Sequence, residues 1–264
     1  MRSRRCFDQL IAEALADEFR GWDFSRLTGR MIQDAVSWDY RQRARKLIGN
    51  SNSLLDVDTG GGEVLASVRP FPAKTVATEG YAPNVPIARR SLEPLGVQVV
   101  ELGTSDEHDY VLPFADGEFD LILNRHGSFS ADEFFRVLKA DGVFISQQVG
   151  GRNNVGLNEA LSAPSSEVDS EWDLQKACYQ LQRAGFTVID AKEEFPRTSF
   201  RDIGALVYYL RAITWQVPNF SVDRYMNQLL AIHETIEENG EFTVHAHRFL
   251  VEATRATLSA VGNA

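Results

Sequence analysis

A short segment rich in acids and glycines is the first place in the sequence where residue types and spacing could do chemistry. The apolar run Ser53–Val57 is followed by Asp58, Thr59 and three consecutive glycines, and a helical pattern begins at Glu63. Glycines let backbone N–H groups come close to a ligand, and a helix N-terminus favours negatively charged groups. We therefore predict a ligand site at the end of this run. Its candidate residues are Asp56, Asp58, Thr59, Gly60 and Gly62.

A second acid follows the next apolar run along the chain. The run Lys74–Thr78 ends in Glu79, which lies 23 residues after Asp56. An acid at the tip of a second strand can accept hydrogen bonds from both hydroxyls of a ribose. A helix cap or a solvated acid is the alternative for Glu79 taken alone. In combination with the glycine segment, Glu79 and the adjacent Gly80 are predicted to bind a nucleoside.

The elements that must position these acids are short apolar strands that alternate with helices. Runs rich in Val, Ile, Leu and Phe occupy residues 53–57, 74–78, 96–101, 119–123, 142–149 and 186–191. Segments with helical periodicity lie between them, and this pattern indicates βαβ units and a buried parallel sheet. Right-handed connections then give a doubly wound α/β fold. A last strand over residues 242–253, which alternates in polarity and is expected to be antiparallel, completes a mostly parallel seven-stranded sheet.

Helical segments are predicted on either side of this frame. Residues 1–48 are expected to form an N-terminal helical cap, with residues 22–48 as helical pieces joined by a loop. Residues 49–264 are expected to form the main domain. Within it, residues 151–170 are rich in Gly, Asn, Ser and Pro and are predicted to be a loop. A helical lid insertion is predicted over about residues 197–240.

Four segments in the sheet-forming part of the chain resemble the class I S-adenosylmethionine-dependent methyltransferases. The family's acid–hydrophobic–Gly-x-Gly-x-Gly motif is matched at three positions by Asp56, Gly60 and Gly62, and an acid follows at the second strand. Leu112–Asp120 is similar to the family's approach to its fourth strand, and Phe135–Phe144 to its turn into the fifth. A nicotinamide dinucleotide fits less well, because it would require G-x-G-x-x-G. The resemblance implies a Rossmann-like methyltransferase fold with S-adenosyl-L-methionine as cofactor.

Further segments are similar to a bacterial subgroup of these enzymes, which extends the resemblance over most of the chain. They are residues 79–84, 124–126, 147–150 and 204–210. The resemblance implies that Asn124 contributes to the cofactor site. The acid that contacts adenine usually precedes the Leu112 segment by a few residues, and Asp109 is favoured over Asp106 for this role.

The chemistry implied is transfer of a methyl group from a sulfonium to a nucleophile. The protein must hold the acceptor in line with the methyl carbon at ~3–3.5 Å and exclude water. A general base helps if the acceptor is a hydroxyl. His126, just past the fourth predicted strand, is the first candidate base, with a turn histidine bonded to the backbone as the alternative.

Candidate substrate-binding residues lie near this histidine and in the predicted lid. Arg125 is predicted to bind the substrate, although it could equally hold the methionine moiety or the loop. Of Gln147 and Gln148, one is expected to face the site, and Gln148 is chosen. Tyr208, Arg211 and Trp215 recur at helical spacing and could line one face of a pocket. Packing of the lid on the core is the alternative for these three residues.

Asp58 departs from the family pattern, since it stands where the family has its first glycine. A side chain there is expected to crowd the carboxylate of the cofactor and to repel it. The backbone of Asp58 is expected to avoid conformations that only glycine tolerates. This departure motivates an alternative function, a cofactor-binding protein with weak or lost catalysis. On that hypothesis Asp58→Gly should raise cofactor affinity sharply.

Composition narrows the choice of acceptor. The chain of 264 residues carries 27 Lys and Arg against 37 Asp and Glu, a net charge of −10. A long polyanion needs clustered cations, so nucleic acid is an improbable partner and a small-molecule acceptor is preferred. RNA methylation is kept as an alternative that predicts strong salt dependence. A homodimer is left open by the sequence.

Other classes of protein are disfavoured by simple counts. No apolar stretch reaches the ~18–20 residues of a membrane span, and acids interrupt the N-terminal segment, so a cytoplasmic protein is expected. Cys6 and Cys178 are far apart and are expected to be reduced thiols. His245 and His247 are two residues apart, but no third ligand is evident, so no metal site is predicted.

Overall fold

The computed structural model of the chain describes residues 6–17, 24–103, 111–166 and 170–255. The chain divides into two compact units. The large-sheet unit comprises residues 37–148, 174–193 and 249–264, and the small-sheet unit comprises residues 1–36, 149–173 and 194–248. Each unit is therefore assembled from segments that are far apart in the sequence.

Helices and strands are numbered along the chain. The helices are α1 (Phe7–Ala16), α2 (Tyr40–Ile48), α3 (Glu63–Ala66), α4 (Val85–Leu92), α5 (Ala131–Val137), α6 (Val155–Leu161), α7 (Leu174–Arg183), α8 (Ile203–Ala212) and α9 (Met226–Asn239). The strands are β1 (Met31–Gln33), β2 (Ser53–Val57), β3 (Lys74–Glu79), β4 (Gln98–Glu101), β5 (Phe119–Arg125), β6 (Leu138–Val149), β7 (Phe186–Glu194), β8 (Arg197–Phe200), β9 (Phe242–His245) and β10 (Arg248–Arg255).

The large sheet has seven strands in the order β4-β3-β2-β5-β6-β10-β7. The pairs β2–β3, β3–β4, β2–β5 and β5–β6 are parallel. The chain proceeds from β2 to one side and returns to β5 on the other, so β2 and β5 form the switch point at which open α/β sheets bind ligands. The predicted doubly wound, mostly parallel seven-stranded sheet is confirmed.

Apolar side chains fill both faces of the central strands. Every residue of β2 is buried, and Leu121, Ile122 and Phe144 of β5 and β6 are completely so. Phe134 of α5 stacks on Phe144 with ring centroids 4.9 Å apart. Because these strands are covered on both sides, their sequences are continuous apolar runs rather than alternating ones. The packed strands give a rigid base to the residues at their ends.

The small-sheet unit combines helices with a three-stranded sheet of order β1-β8-β9. Both pairings are antiparallel, with Met31 opposite Phe200 and Arg197 opposite His245. Its apolar core includes eight residues of α8, and nine of the ten residues of this helix are buried. Arg30, next to β1, binds the carboxylate of Asp202 through two hydrogen bonds of 2.8 and 2.5 Å.

Three sequence expectations are wrong in the small-sheet unit. The region predicted as helical pieces over residues 22–48 contains the strand β1, which is only three residues long and gives little signal. The predicted loop over residues 151–170 contains α6, bracketed by Asn154 and Ser162, which both adopt φ 52°. The predicted strand 242–253 is two strands, because the chain leaves the small sheet after β9 and enters the large sheet with β10.

The unit boundaries also differ from the predicted domains. Helix α2, which falls in the predicted cap of residues 1–48, belongs to the large-sheet unit. The lid segment 197–240 groups instead with α1 and β1, because β1 pairs with β8. In the part of the chain that the structure describes, no helix is long and apolar enough to cross a membrane.

Candidate functional site

The glycine loop leaves β2 at the carboxyl edge of the large sheet. It is tied down where the Thr59 N–H donates to the Thr78 carbonyl at 2.9 Å. Gly62 has φ 85°, and a Cβ there would lie 2.7 Å from Leu92 Cγ, so only glycine fits. Gly60 has φ 64°, and a Cβ there would meet no atom within 4 Å. Gly62 therefore permits close packing of the loop, whereas Gly60 leaves open space above it.

The backbone conformation of Asp58 differs from the one that the sequence predicts. Its φ is 56°, in the left-handed region that it was expected to avoid, and Asp is one of the few residues that tolerate this region. Its carboxylate accepts a hydrogen bond from the Ser128 N–H at 2.7 Å. A Cβ on Gly127 would lie 2.7 Å from Asp58 Cβ. Asp58 therefore holds the loop that follows β5.

Asp56 is a buried acid at the end of β2, with only 8% of its surface exposed. Burial raises the pKa of Asp56 to about 7. The negative charges of Asp58 and Glu79 also raise this pKa, while the Thr59 hydroxyl and the Arg125 charge lower it. Asp56 is therefore poised between its neutral and ionised forms near neutral pH.

Glu79 ends β3, beside β2, and is buried. Burial raises the pKa of Glu79, and the hydrogen bond of 2.7 Å that its Oε1 accepts from the Tyr81 N–H opposes this shift. A Cβ on Gly80 would meet no atom within 4 Å, and Tyr81 is exposed. The structure thus brings together Asp56, Glu79 and the glycine loop, as predicted from their positions in the sequence.

Asn124 and Gln148, predicted to bind cofactor and substrate, contact each other in the structure. Asn124 Oδ1 accepts from Gln148 Nε2 at 2.5 Å and from Ser146 Oγ at 2.9 Å. Asn124 Nδ2 donates to the carbonyls of Val57 and Ser128 at 3.5 and 3.1 Å. Both residues are buried. Their amide groups join β2, β5 and β6 near the carboxyl edge.

Gln147 is the glutamine that contacts the candidate base. Trp38 Nε1 donates to Gln147 Oε1 at 2.8 Å, and Gln147 Nε2 lies 3.2 Å from His126 Nε2. Because an indole N–H can only donate, the Gln147 amide must turn its oxygen to Trp38 and its N–H group to His126. His126 Nε2 is then an acceptor, and the proton of the neutral ring lies on Nδ1. The sequence pattern alone does not show which face of β6 each glutamine occupies, so the prediction of Gln148 missed this contact of Gln147.

His126 occupies a turn at the end of β5. Its φ is 58°, its N–H donates to the Gln147 carbonyl at 2.8 Å, and its side chain is exposed. These features combine the two alternatives considered from the sequence. It is a turn histidine whose ring still reaches solvent at the edge of the sheet.

Arg125 and Tyr40 flank the same edge. Tyr40 is the first residue of α2, whose N-cap Asp39 accepts a hydrogen bond from the Gln42 N–H at 3.0 Å. The Tyr40 hydroxyl is buried and makes no hydrogen bond of normal geometry with any residue that the structure describes. Burial raises the pKa of Tyr40 well above its usual value. The negative charge of Asp56 raises this pKa further, and the positive charge of Arg125 lowers it. Sequence reasoning missed Tyr40, for which the only signal was its place in the predicted cap.

The remaining candidates lie elsewhere. Asp109 falls outside the described residues. Tyr208, Arg211 and Trp215 belong to the small-sheet unit, where Tyr208 is buried in the apolar core. Arg211 donates to the carbonyls of Ala14 and Asp17 at the end of α1, and Trp215 lies beyond the end of α8. The helical spacing of these three residues therefore does not define one open face.

The two histidines near the end of the chain do not share a face. Their strand is interrupted between β9 and β10, so His245 is exposed and His247 is completely buried. His247 stacks on Phe195 with ring centroids 4.5 Å apart, and its Nδ1 accepts from the Arg152 N–H at 3.2 Å. Within the described ranges, no group of three or more His, Cys, Asp or Glu residues could hold a metal ion.

Comparison with known proteins identifies a domain within the chain and supports the fold. Residues 55–146 match a family model described as a methyltransferase domain. A Bacillus halodurans C-125 protein with a provisional methyltransferase assignment is 21% identical, with 82% of this chain and 97% of that chain covered and a TM-score of 0.56. The YcgJ protein of Bacillus subtilis is 17% identical (82% and 98% covered, TM-score 0.53). A Deinococcus radiodurans R1 protein of unknown function is 12% identical (88% and 98% covered, TM-score 0.57). No curated protein matches the sequence.

Proposed function

We propose that this chain, whose residues 55–146 match a methyltransferase-domain model, transfers the methyl group of S-adenosylmethionine to a small-molecule acceptor. The observation that carries the proposal is the pair of buried acids, Asp56 and Glu79, on either side of a glycine loop at the switch point of the large sheet. The net charge of −10 supports a small acceptor over a long polyanion.

The residues present fit the cofactor. The space above Gly60 and Gly80 would accept a nucleoside, since a Cβ at either position meets no atom within 4 Å. Glu79 would accept the ribose hydroxyls, because the Tyr81 N–H orients its carboxylate. When bound, the cofactor supplies an electrophilic methyl group on a sulfonium. Asp58, Thr59, Gly62, Asn124 and Asp109 complete the proposed cofactor set.

His126 is the proposed general base. In the structure its Nε2 faces the Gln147 amide, so this nitrogen must exchange that hydrogen bond for the proton of the acceptor. Its exposure at the end of β5 makes this exchange feasible without unfolding the strand. A general base contributes about 10²–10⁴-fold to such a reaction.

The proposed substrate-binding residues differ in their support. Arg125 has the strongest support, because it lies at the same edge as Asp56. Gln148 has less support, because it could bind a substrate only after breaking its hydrogen bond to Asn124. Arg211 likewise would have to break its hydrogen bonds to the carbonyls at the end of α1. Tyr208 and Trp215 have the weakest support, because Tyr208 is buried in the apolar core of the small-sheet unit and Trp215 lies beyond the end of α8.

The test is binding followed by turnover. The chain should bind S-adenosylmethionine by calorimetry and transfer its labelled methyl group into a fraction of a metabolite extract. Absence of binding at millimolar cofactor would end the proposal. His126→Gln should retain cofactor binding and lose about 100-fold in rate on the acceptor so identified.

Asp58→Gly is the informative variant for the alternative of lost catalysis. The structure engages the Asp58 carboxylate with Ser128, which weakens the argument that this side chain obstructs the cofactor. Retained turnover in the wild-type chain would remove that alternative altogether.

A further inference from the structure

Arg125 is the last residue of β5, at the carboxyl edge of the large sheet. Asn124 is opposite Val57, the last residue of β2, so Arg125 lies one residue beyond the end of β2. On its other side, Arg125 is opposite Gln147 of β6. The guanidinium is carried by a strand that is fixed on both sides, and it is partly buried.

The other partly buried arginines among the described residues all have hydrogen-bond partners. Arg248 and Arg255 donate to amide or carbonyl oxygens, and three more bind carboxylates. Arg30 binds Asp202, Arg43 binds Asp190, and Arg136 binds Glu133, with side-chain exposures of 26%, 26% and 28%. Across residues 6–17, 24–103, 111–166 and 170–255, the Arg125 guanidinium has no hydrogen bond or ion pair. Burying a cation without a partner is costly, so this exception indicates that a ligand supplies the anion.

The electrostatics agree with this geometry. Burial lowers the pKa of Arg125, and the nearby charge of Arg41 lowers it further, while Asp56 opposes these effects. Asp56 attracts Arg125 without a hydrogen bond to it. The edge therefore holds a cation that is not neutralised by the acid beside it.

A second donor is available in the same place. The Tyr40 hydroxyl is buried and has no hydrogen bond of normal geometry among the described residues. The charge of Asp56 raises its pKa and that of Arg125 lowers it. A phenol that stays neutral can donate its proton to an anion. A guanidinium and a phenol together can donate to the two oxygens of a carboxylate.

We propose that Arg125, assisted by the Tyr40 hydroxyl, binds a carboxylate at the carboxyl edge of β5. This inference rests on the proposed function, because the carboxylate belongs either to the methionine end of the cofactor or to the methyl acceptor. In the second case the acceptor is a carboxylic acid. The same two donors serve either source, since each presents a planar anion to a forked guanidinium.

The first arm of the test compares S-adenosylmethionine with decarboxylated S-adenosylmethionine by calorimetry on the full chain. The wild-type chain should prefer the carboxylated form by at least about tenfold. Arg125→Gln should abolish this preference while its affinity for the decarboxylated form is unchanged, and Tyr40→Phe should reduce the preference by less. This result assigns the carboxylate to the cofactor. Arg41→Gln is the matched control, because it removes an exposed neighbouring charge and should keep the preference.

The second arm applies if Arg125→Gln keeps the wild-type preference. Protein saturated with S-adenosylhomocysteine is then titrated with acetate and benzoate, with binding followed by NMR. Weaker binding of both anions to Arg125→Gln, by about fivefold or more, assigns the carboxylate to the acceptor. Equal behaviour of Arg125→Gln and the wild-type chain in both arms overturns the proposal.

The experiment distinguishes failure of the methyltransferase proposal from failure of the carboxylate site. If neither nucleoside binds the wild-type chain at millimolar concentration, the methyltransferase proposal fails. Acetate titration of the free chain then decides the carboxylate site by itself, through the same difference between Arg125→Gln and wild type. Matching thermal denaturation of both proteins shows that the variant is folded.

Discussion

The acidic residues at the two ends of the large sheet differ in whether they have cationic partners. At the amino end, Asp120 binds Lys139 at 3.0 Å and Ser53 at 2.8 Å, and Glu118 binds Lys74 at 2.9 Å. At the carboxyl end, Asp56 and Glu79 are buried without a cationic partner in hydrogen-bonding contact among the described residues.

The pKa values of these acids follow the difference in pairing. Although burial raises the pKa of Asp120, hydrogen bonds from Lys139 and Ser53 outweigh it and the pKa is lowered. The hydrogen bond from Lys74 lowers the pKa of Glu118. Burial instead raises the pKa of both Asp56 and Glu79. The ionised acids at the amino end therefore stabilise the folded chain. The ionised acids at the carboxyl end destabilise it, as expected of a ligand site.

The largest effect is expected at Asp56. Its pKa is about 7 in the folded chain and ~3.9 unfolded, so the folded state holds a proton that the unfolded state has lost between these values. Wild-type stability should therefore fall as pH rises from about 4 to 7. Asp56→Asn should stabilise the chain by about 4 kcal/mol at pH 8 and by about 1–2 kcal/mol at pH 5.

Urea unfolding at both pH values measures this difference. Asp132→Asn, which changes an exposed acid on α5, is the control and should show no such pH dependence. A stabilisation by Asp56→Asn that is equal at the two pH values would contradict the raised pKa.

The next effect is expected at Glu79. Glu79→Ala removes both acceptors for the ribose hydroxyls, which should weaken S-adenosylhomocysteine binding by about 100-fold, or about 3 kcal/mol. Calorimetry measures it. Glu101→Ala is a matched control, because Glu101 is opposite Glu79 in β4 but is exposed, and it should bind as wild type does. Equal losses in the two variants would remove Glu79 from the site.

A smaller effect of the opposite sign is expected at Asp120. Asp120→Asn should destabilise the chain by about 1–2 kcal/mol at pH 7, because Lys139 loses its partner. Because the folded pKa of Asp120 is lowered, its contribution should be complete above about pH 4 and lost as pH falls further. Chemical denaturation from pH 7 to pH 3 tests this. Asp116→Asn, at a side chain that is 81% exposed, should change stability by less than about 0.5 kcal/mol.

The smallest effect is expected for removal of the Asp58 charge. Asp58→Asn keeps an acceptor for the Ser128 N–H and tolerates a positive φ, so stability should change by less than about 0.5 kcal/mol. Asp58→Gly loses that acceptor and should cost about 1 kcal/mol. Thermal denaturation separates them. A tenfold gain in cofactor affinity on Asp58→Gly would instead support the view that this residue obstructs the cofactor.

Much of the large sheet could be predicted from the sequence because its signals are local. β2, β3 and β5 are short segments whose middle residues are mostly apolar and buried, and polar residues occur at or just after the end of each. The positions of Asp56 and Glu79 at strand ends were therefore apparent without knowledge of the structure. The register of parallel neighbours then brings such ends to one edge.

The small sheet and several side-chain contacts could not be predicted, because they depend on residues far apart in sequence. β1 has three residues and is a strand only through its pairing with β8. The bond from Trp38 to Gln147 joins residues 109 positions apart, and it determines which glutamine meets His126. Likewise, the conformation of Asp58 depends on Ser128 and Gly127, which no local pattern connects to it.

The discontinuous make-up of the small-sheet unit has a consequence during synthesis. Helix α1 packs against α8, and the small sheet is incomplete until β9 has been made. The ribosome adds ~5–20 residues per second, so the first helix waits on the order of ten seconds for its partner. Its apolar face is exposed to chaperones and proteases throughout that interval. Newly made chains should therefore be more vulnerable to cleavage in α1 than finished ones.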